Sequence, residues 1–244
     1  MVRPSSANGR RILILDVGGS HVKVAFSHQT TEIKVPTGPQ MTPGRMMQRV
    51  LRVLRGKRYD AVTVGYPGLV VHGKIARDPA NLGPGWIGFD FQAVLHKPTR
   101  IVNDAAMQAL GGYRGGRMLF LGLGTGLGSA MIIDGQVAPM ELAHLPYKKD
   151  EEYEWYVGEA ALERMGRKKW QKEVFTVVSL FAAALEPDYI TLGGGNTRKL
   201  KRLPPHCERG DNRDAIVGGV RLWDDDRKAR LGPKVVRSSA GRAG

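Results

Sequence analysis

The sequence predicts an α/β fold assembled from two similar halves. Two observations carry this. The runs Ile12–Phe26 and Arg117–Ile133 each read as a buried strand, a glycine turn and a second strand. Further strands and at least one amphipathic helix follow each of them, so the chain reads as one architecture used twice. No residue-level repeat extends beyond the two glycine turns, and the duplication rests on element order alone.

Ile12 to Leu15 carry no polar residue, as expected for a strand covered on both faces. Asp16 closes the run, Gly18, Gly19 and Ser20 form the turn, and Lys23 lies in the returning strand. The two glycines are expected to take positive φ and to expose successive N–H groups, a concavity suited to phosphate. Glu32 to Val35 is expected as a third strand. Thr42-Pro43 is a helix start, a capping hydroxyl followed by proline, and Met46, Met47, Val50, Leu51 and Leu54 keep helical spacing to Arg55. Ala61–Gly65 is a strand broken by Tyr66-Pro67-Gly68, and Leu69–Ala76 is a hairpin turning at His72-Gly73. A proline- and glycine-rich loop, Asp78–Trp86, precedes the strand Arg100–Val102, Asn103-Asp104 and a helix over Ala105–Leu110.

In the second half, Arg117–Leu121 enters a loop with four glycines in seven residues, Gly122 to Gly128, and Ala130–Ile133 resumes as strand. So much glycine would weaken a plain hairpin, which favours a phosphate-holding loop at Gly124-Thr125-Gly126. Helices are expected over Tyr153–Met165 and along the apolar face Trp170, Val174, Val177, Val178, Phe181, Leu185. Glu186-Pro187-Asp188 ends the latter. Tyr189–Leu192 is a strand running into Gly193-Gly194-Gly195, and Asp211 is expected to cap a last helix over Ala215–Trp223.

Composition narrows the class. Of 244 residues, 42% are hydrophobic and 25% charged, as in soluble globular proteins. No unbroken apolar run approaches the roughly 18 residues of a membrane helix. The opening residues are polar, without the apolar core of a signal peptide. A lone cysteine, Cys207, excludes an internal disulfide and a cysteine-cluster zinc site. Together these point to the cytoplasm. Lys and Arg number 37 against 23 Asp and Glu, a net charge of +14 that suits a polyanionic partner. Part of the excess lies beyond Arg227, in a stretch without acids that reads as a flexible basic tail, so nucleic acid is not the expected partner.

The chemistry-bearing residues are few. Asp16 can reach Mg²⁺ or its water shell, because hard cations prefer carboxylate oxygen. Asp104 follows a strand, where α/β proteins build active sites. Helix capping alone would explain Asn103-Asp104; two phosphate loops beside it call for a base. Glu141 and His144 are three apart, on one side of a turn, and can hydrogen-bond neighbouring sugar hydroxyls. Asn81 and Trp86 are equally readable as sugar contacts or loop structure.

Taken together, Asp16-x-Gly-Gly-Ser20-x-x-Lys23, Pro67-Gly68, Asn81-Leu-x-x-x-Trp86, Asn103-Asp104-Ala105, Gly124-Thr-Gly-x-Gly-Ser129, Glu141-x-x-His144 and Gly193-Gly-Gly195 resemble the ROK family of sugar kinases. The resemblance runs from about residue 11 to 223, and Glu141-x-x-His-Leu-Pro146 is shared with the bacterial polyphosphate glucokinases of that family. It implies an actin-like (ribonuclease H-like) ATPase fold: a leader 1–10, lobes 11–110 and 111–226 around an active-site cleft, and a tail 227–244. It implies Asp104 as the base acting on the 6-hydroxyl of glucose. Gly68, Asn81, Asn103, Glu141, His144 and Glu154 would serve the sugar. Asp16 with Mg²⁺, Gly18, Gly19, Ser20, Lys23, Gly124, Thr125 and Gly126 would hold phosphate, and Gly193, Gly194 and Gly195 would face adenosine where ATP is the donor. The family's cysteine-rich zinc motif is absent and Ala143 stands in place of its glycine, so zinc is not expected. The expected activity is transfer from polyphosphate, with ATP a further candidate donor. An ATP-only glucokinase or mannokinase and a non-catalytic sugar-binding regulator stay open, as does a homodimer.

Overall fold

The computed structural model describes residues 9–211 and 213–224. The basic tail and nearly all of the leader lie outside the described residues.

Two five-stranded mixed sheets organise the chain. In the first, β1 (Ile12–Val17) pairs antiparallel with β2 (His21–Phe26), which pairs antiparallel with β3 (Ile33–Pro36). On its other side β1 runs parallel to β4 (Ala61–Tyr66), and β4 to β7 (Thr99–Asn103). The hairpin β5 (Val70–Val71) and β6 (Lys74–Ile75) stands apart. The second sheet repeats this pattern. Its β8 (Arg117–Leu123) pairs antiparallel with β9 (Leu127–Ile133), and β9 with β10 (Gln136–Met140). β8 also runs parallel to β11 (Tyr189–Gly193), and β11 to β12 (Cys207–Arg209). The orders 3-2-1-4-7 and 10-9-8-11-12 bear out the duplicated fold expected from the sequence.

Three apolar cores follow from this arrangement. Strand β1 is buried along its whole length because its alternate faces enter different cores. Leu13, Leu15 and Val17 meet α1 (Pro43–Val53) and the loop tryptophan Trp86 in the outer core of the first half. Ile12 and Ile14 face a middle core shared with α3 (Asp104–Gly112), β8, β9 and α6 (Asp214–Arg221). The second half carries α5 (Glu159–Leu185), whose Trp170, Val174, Val177, Val178 and Phe181 are buried against β8 and β11. Each such side chain contributes about 1.5–3 kcal/mol, which anchors the long helix without help from propensity.

Helix α6 returns across the molecule. Thr63 Oγ1 donates to the Gly219 carbonyl at 2.7 Å and accepts from Trp223 Nε1 at 2.9 Å, which fixes α6 to β4. Its other side crosses α3 at a point of close backbone contact. A Cβ on Gly218 would fall on the Met107 carbonyl, and one on Gly111 on the Asp214 carbonyl. Glycine is required there by approach.

Several sequence expectations change. The helix expected over Tyr153–Met165 is broken: α4 (Tyr153–Val157) ends at Gly158, and the last turns belong to α5. Gly158 lies against the Thr125 and Glu154 carbonyls, too close for a side chain. α5 itself kinks at Gly166, whose φ is 75°. Asp211 does not cap α6. Its Oδ1 accepts from the Arg213 N–H at 2.8 Å, one turn early, and Arg213 holds the cap position without a side-chain bond. α2 (Phe91–Leu95), β10 and β12 had no counterpart in the sequence reading.

Candidate active site

The expected acid, base and glycine loops converge where the carboxyl ends of β1, β4 and β7 face the β8–β9 turn. Asp16 is on β1, 9% exposed, and accepts from Lys23 Nζ at 3.0 Å across the β1–β2 ladder. The carboxylate holds the Lys23 pKa above its ordinary value, so the ammonium stays charged in a partly buried position.

Neither Gly18 nor Gly19 takes positive φ, contrary to the expectation for the first loop. Close packing accounts for them: a Cβ on Gly18 would stand 3.0 Å from the His21 carbonyl oxygen, and one on Gly19 3.3 Å from Asn81 Cβ. The Gly18 N–H donates to the His21 carbonyl, and its own carbonyl accepts from Thr37 Oγ1 at 2.8 Å. The Gly19 and Ser20 N–H groups meet no protein acceptor among the described residues. Asn81 is exposed at this edge, while Trp86 is wholly buried and bonds the Gly83 carbonyl. Of the two readings open for Trp86, loop structure is the one found.

The second loop is held from two sides. Asn196 Nδ2 donates to the Gly124 carbonyl at 3.0 Å, and the Glu159 N–H to the Thr125 carbonyl at 3.1 Å. Gly124 N–H is spent on Gly126 O; those of Thr125 and Gly126 have no protein acceptor among the described residues. Glu154 lies over Gly126 and accepts from the Leu127 N–H at 3.0 Å, so its carboxylate sits on the second loop. The Gly193–Gly195 turn adjoins the same loop, with Gly194 at φ 80° against the Leu123 backbone.

Between the loops stands α3. Asn103 is its cap: Oδ1 accepts from the Ala106 N–H at 3.0 Å and Nδ2 donates to the Gly68 carbonyl at 3.1 Å. Half of its hydrogen-bonding capacity is therefore spent on fixing the helix start and the Pro67-Gly68 turn. Asp104 follows, its Oδ1 accepting from the Ala105 N–H at 2.7 Å, while Ala105 packs on Gly128 of the second loop. Burial pushes the Asp104 pKa up to about 7, and the negative charges of Asp16 and Glu141 add to the shift. A carboxyl tuned near neutrality, between two loops whose N–H groups lack a protein acceptor among the described residues, has the protonation behaviour of a general base.

Glu141 precedes a 3-10 turn, Leu142–His144, pinned to β9 because Ser129 Oγ donates to the Met140 carbonyl and accepts from the Leu142 N–H. His144 Nδ1 pairs with Glu152 at 2.7 Å, and its Nε2 lies 3.9 Å from Glu141. The Glu152 bond raises the imidazole pKa. Glu152 was not singled out in the sequence, because it lies beyond a loop and is brought beside the turn by the Pro146–Glu152 bridge and the flanking Tyr153–Leu145 and Tyr147–Glu151 backbone bonds. Thr37 and Asn196, which hold the two loops, were missed for the same reason.

Among the described residues no group of three or more His, Cys, Asp or Glu could hold a metal. A Mg²⁺ ion held by one carboxylate, substrate phosphates and water needs no such group, and Asp16 fits that pattern. No helix among the described residues is long and apolar enough to cross a membrane.

The geometry has relatives. A polyphosphate glucokinase of Mycobacterium tuberculosis (strain H37Rv) is 30% identical over 240 residues, spanning 88% of this chain and 87% of that protein. The chain belongs to the polyphosphate glucokinase family, among the ROK sugar kinases. Its fold is accordingly the actin-like ATPase fold. The inorganic polyphosphate/ATP-glucomannokinase of Arthrobacter sp. strain KM superposes with a TM-score of 0.76 at 26% identity, covering 88% of this chain and 98% of that one. A ROK glucokinase of Streptomyces griseus, in complex with glucose and AMPPNP, gives 0.71 at 14% identity over 87% and 98% of the two chains, a likeness of fold. No protein-family model matches the chain.

One expectation follows for metal-free enzyme. With Asp104 labelled by ¹³C, its carboxyl titrates near pH 7, and Asp16→Asn moves the midpoint down by removing a neighbouring negative charge. A wild-type midpoint in the ordinary range near 4 contradicts the assignment.

Proposed function

We propose that this chain transfers a phosphoryl group from polyphosphate to the 6-hydroxyl of glucose in the cytoplasm. The observation that carries the reading is Asp104, a carboxyl raised to about 7 and lodged between two glycine loops. Family membership supports the sugar and the donor.

Asp104 accepts the proton of the 6-hydroxyl as that oxygen attacks the terminal phosphorus; the bridging P–O bond to the next unit breaks, and polyphosphate shorter by one unit leaves with the bonding electrons. Asn81, Glu141 and His144 hold the other hydroxyls, with Glu152 orienting the imidazole. Gly68 and Asn103 fix the sugar-side turn. Glu154, bonded to Leu127, is the sugar ligand that also shapes the second loop. The free N–H groups of Gly19, Ser20, Thr125 and Gly126 receive phosphate oxygens from the two sides of the cleft. Lys23 adds a charge already held in place by Asp16. Asp16 would hold Mg²⁺ through water, and the ion would offset phosphate charge and orient the transferring group. The exposed Gly194-Gly195 turn suits adenosine when ATP replaces polyphosphate, as the name of the Arthrobacter enzyme describes for that protein.

The test is formation of glucose 6-phosphate from glucose and Mg²⁺ with either polyphosphate or ATP, followed by ³¹P NMR. Product with polyphosphate is expected. Product with ATP alone removes the polyphosphate reading, and no product with either donor across a panel of hexoses removes the kinase reading.

A further inference from the structure

Beyond the second glycine loop, two basic strips leave the cleft side by side. One lies on α5 just past its Gly166 kink and begins Arg167-Lys168-Lys169; the other, Arg198, Lys199 and Lys201, spans the end of the 3-10 helix Gly195–Lys199 and its exit. All six are exposed, and neither stretch, 164–172 or 194–207, contains an acid. Three contacts in register tie the strips together. Arg167 Nε donates to the Lys199 carbonyl, the Lys201 N–H donates to Gln171 Oε1 at 2.9 Å, and the Arg202 guanidinium lies 5.3 Å from the Phe175 ring centroid.

Both strips start at the loop. The Gly195–Lys199 helix begins beside Asn196, which bonds Gly124, and α5 begins at Glu159, which bonds Thr125. Arg198 is three 3-10 residues past Gly195, a rise of about 6 Å, and Arg167 is eight helical residues past Glu159, a rise of about 12 Å. Positive charge therefore begins roughly 6 to 12 Å along each element from its loop-bonded start. Only the Arg167 guanidinium among the six makes a side-chain hydrogen bond, to the Lys199 carbonyl, among the described residues. None of the six is in an ion pair among the described residues. Three cations in the first turn after a kink also oppose the helix dipole, which favours acids there. The nearest acids along α5 are Glu163 and Glu173, each four residues from the strip; Glu173 is occupied by Lys148 at 2.8 Å, and Glu163 pairs with none of the six cations among the described residues.

We infer that these two strips form a track for the distal phosphates of a long polyphosphate chain whose terminal unit sits between the glycine loops. The inference rests on the polyphosphate reading and deepens it. A linear polyanion of regular charge matches two parallel rows of flexible cations, which hold it without fixing its register. The chain can then advance by one unit after each transfer.

The experiment compares wild type with the variant Lys168→Gln/Arg198→Gln/Lys199→Gln/Lys201→Gln, using long-chain polyphosphate and tripolyphosphate as donors over a series of salt concentrations. The KM for long chains is expected to rise about tenfold, and its salt dependence to flatten because fewer counterions are released. The KM for tripolyphosphate, too short to leave the loops, and the KM for glucose stay within twofold. Equal long-chain KM and equal salt slope in the two proteins overturn the track and leave polyphosphate as donor. No product from any polyphosphate in wild type overturns the donor reading, and the track with it. Duplex DNA that binds the wild type through these residues, with the long-chain KM unchanged in the variant, assigns the surface to nucleic acid and overturns the proposal.

Discussion

Asp104→Asn lowers turnover of glucose by about 10²- to 10⁴-fold while leaving glucose binding within severalfold, as expected when a base is lost and the hydrogen-bonding shape is kept. The same substitution stabilises the fold at alkaline pH. Burial raises the Asp104 pKa to about 7 in the folded chain from an ordinary value of 3.8, so the folded state disfavours its ionised form. Below about pH 3 the penalty is absent, because the carboxyl is largely protonated in both states, and at pH 4 it is still small. It grows between the two pKa values as the unfolded chain ionises first, and is complete above 7. Asn keeps the acceptor for Ala105 without the charge. The gain at pH 8 is on the order of 2 kcal/mol, after discounting for partial exposure, or about 5 °C in Tm. Thermal unfolding at pH 4 and pH 8 measures it; an equal Tm difference at the two pH values contradicts the assignment. Function here is held at a cost in stability.

Gly218→Ala is the second large effect, and it acts far from the reacting groups. Ala is the better helix former by about 1 kcal/mol, so propensity alone predicts stabilisation. The new Cβ would instead fall on the Met107 carbonyl, a backbone atom one turn from Asp104 that cannot rotate away. Separating α6 from α3 opens the middle core and tilts the helix that carries Asp104. A net loss of about 3 kcal/mol is expected, with kcat falling more than the affinity for glucose. Chemical denaturation measures the first and steady-state kinetics the second. A Tm at or above wild type shows that the crossing relaxes freely.

The elements legible in the sequence were those with strong local signals. Ile12–Leu15 has no polar interruption, and its two-sided burial followed directly. The apolar spacing from Trp170 to Phe181 gave the buried face of α5. Thr42-Pro43 gave the cap and first turn of α1. Short edge elements escaped: β10 carries Pro139, which speaks against a strand except at a sheet edge, and β12 has only three residues. Gly18 and Gly19 were located correctly and explained wrongly, because close packing by His21 and Asn81 is a property of the folded chain. The site was legible wherever loop and acid are contiguous in sequence. Glu152, Thr37 and Asn196 act across 8, 19 and 72 residues, and no local pattern marks them. The return of α6 onto β4 is equally non-local, since Thr63 and Trp223 are 160 residues apart.

The pH dependence of kcat/KM for glucose, at saturating Mg²⁺ and polyphosphate, tests the role of Asp104 most directly. The rate is expected to fall tenfold per unit of pH below a limb lying well above the ordinary carboxylate value of about 4, and the residual rate of Asp104→Asn is expected to show no such limb. A limb at the ordinary value, or the same limb in wild type and Asp104→Asn, contradicts Asp104 as the base.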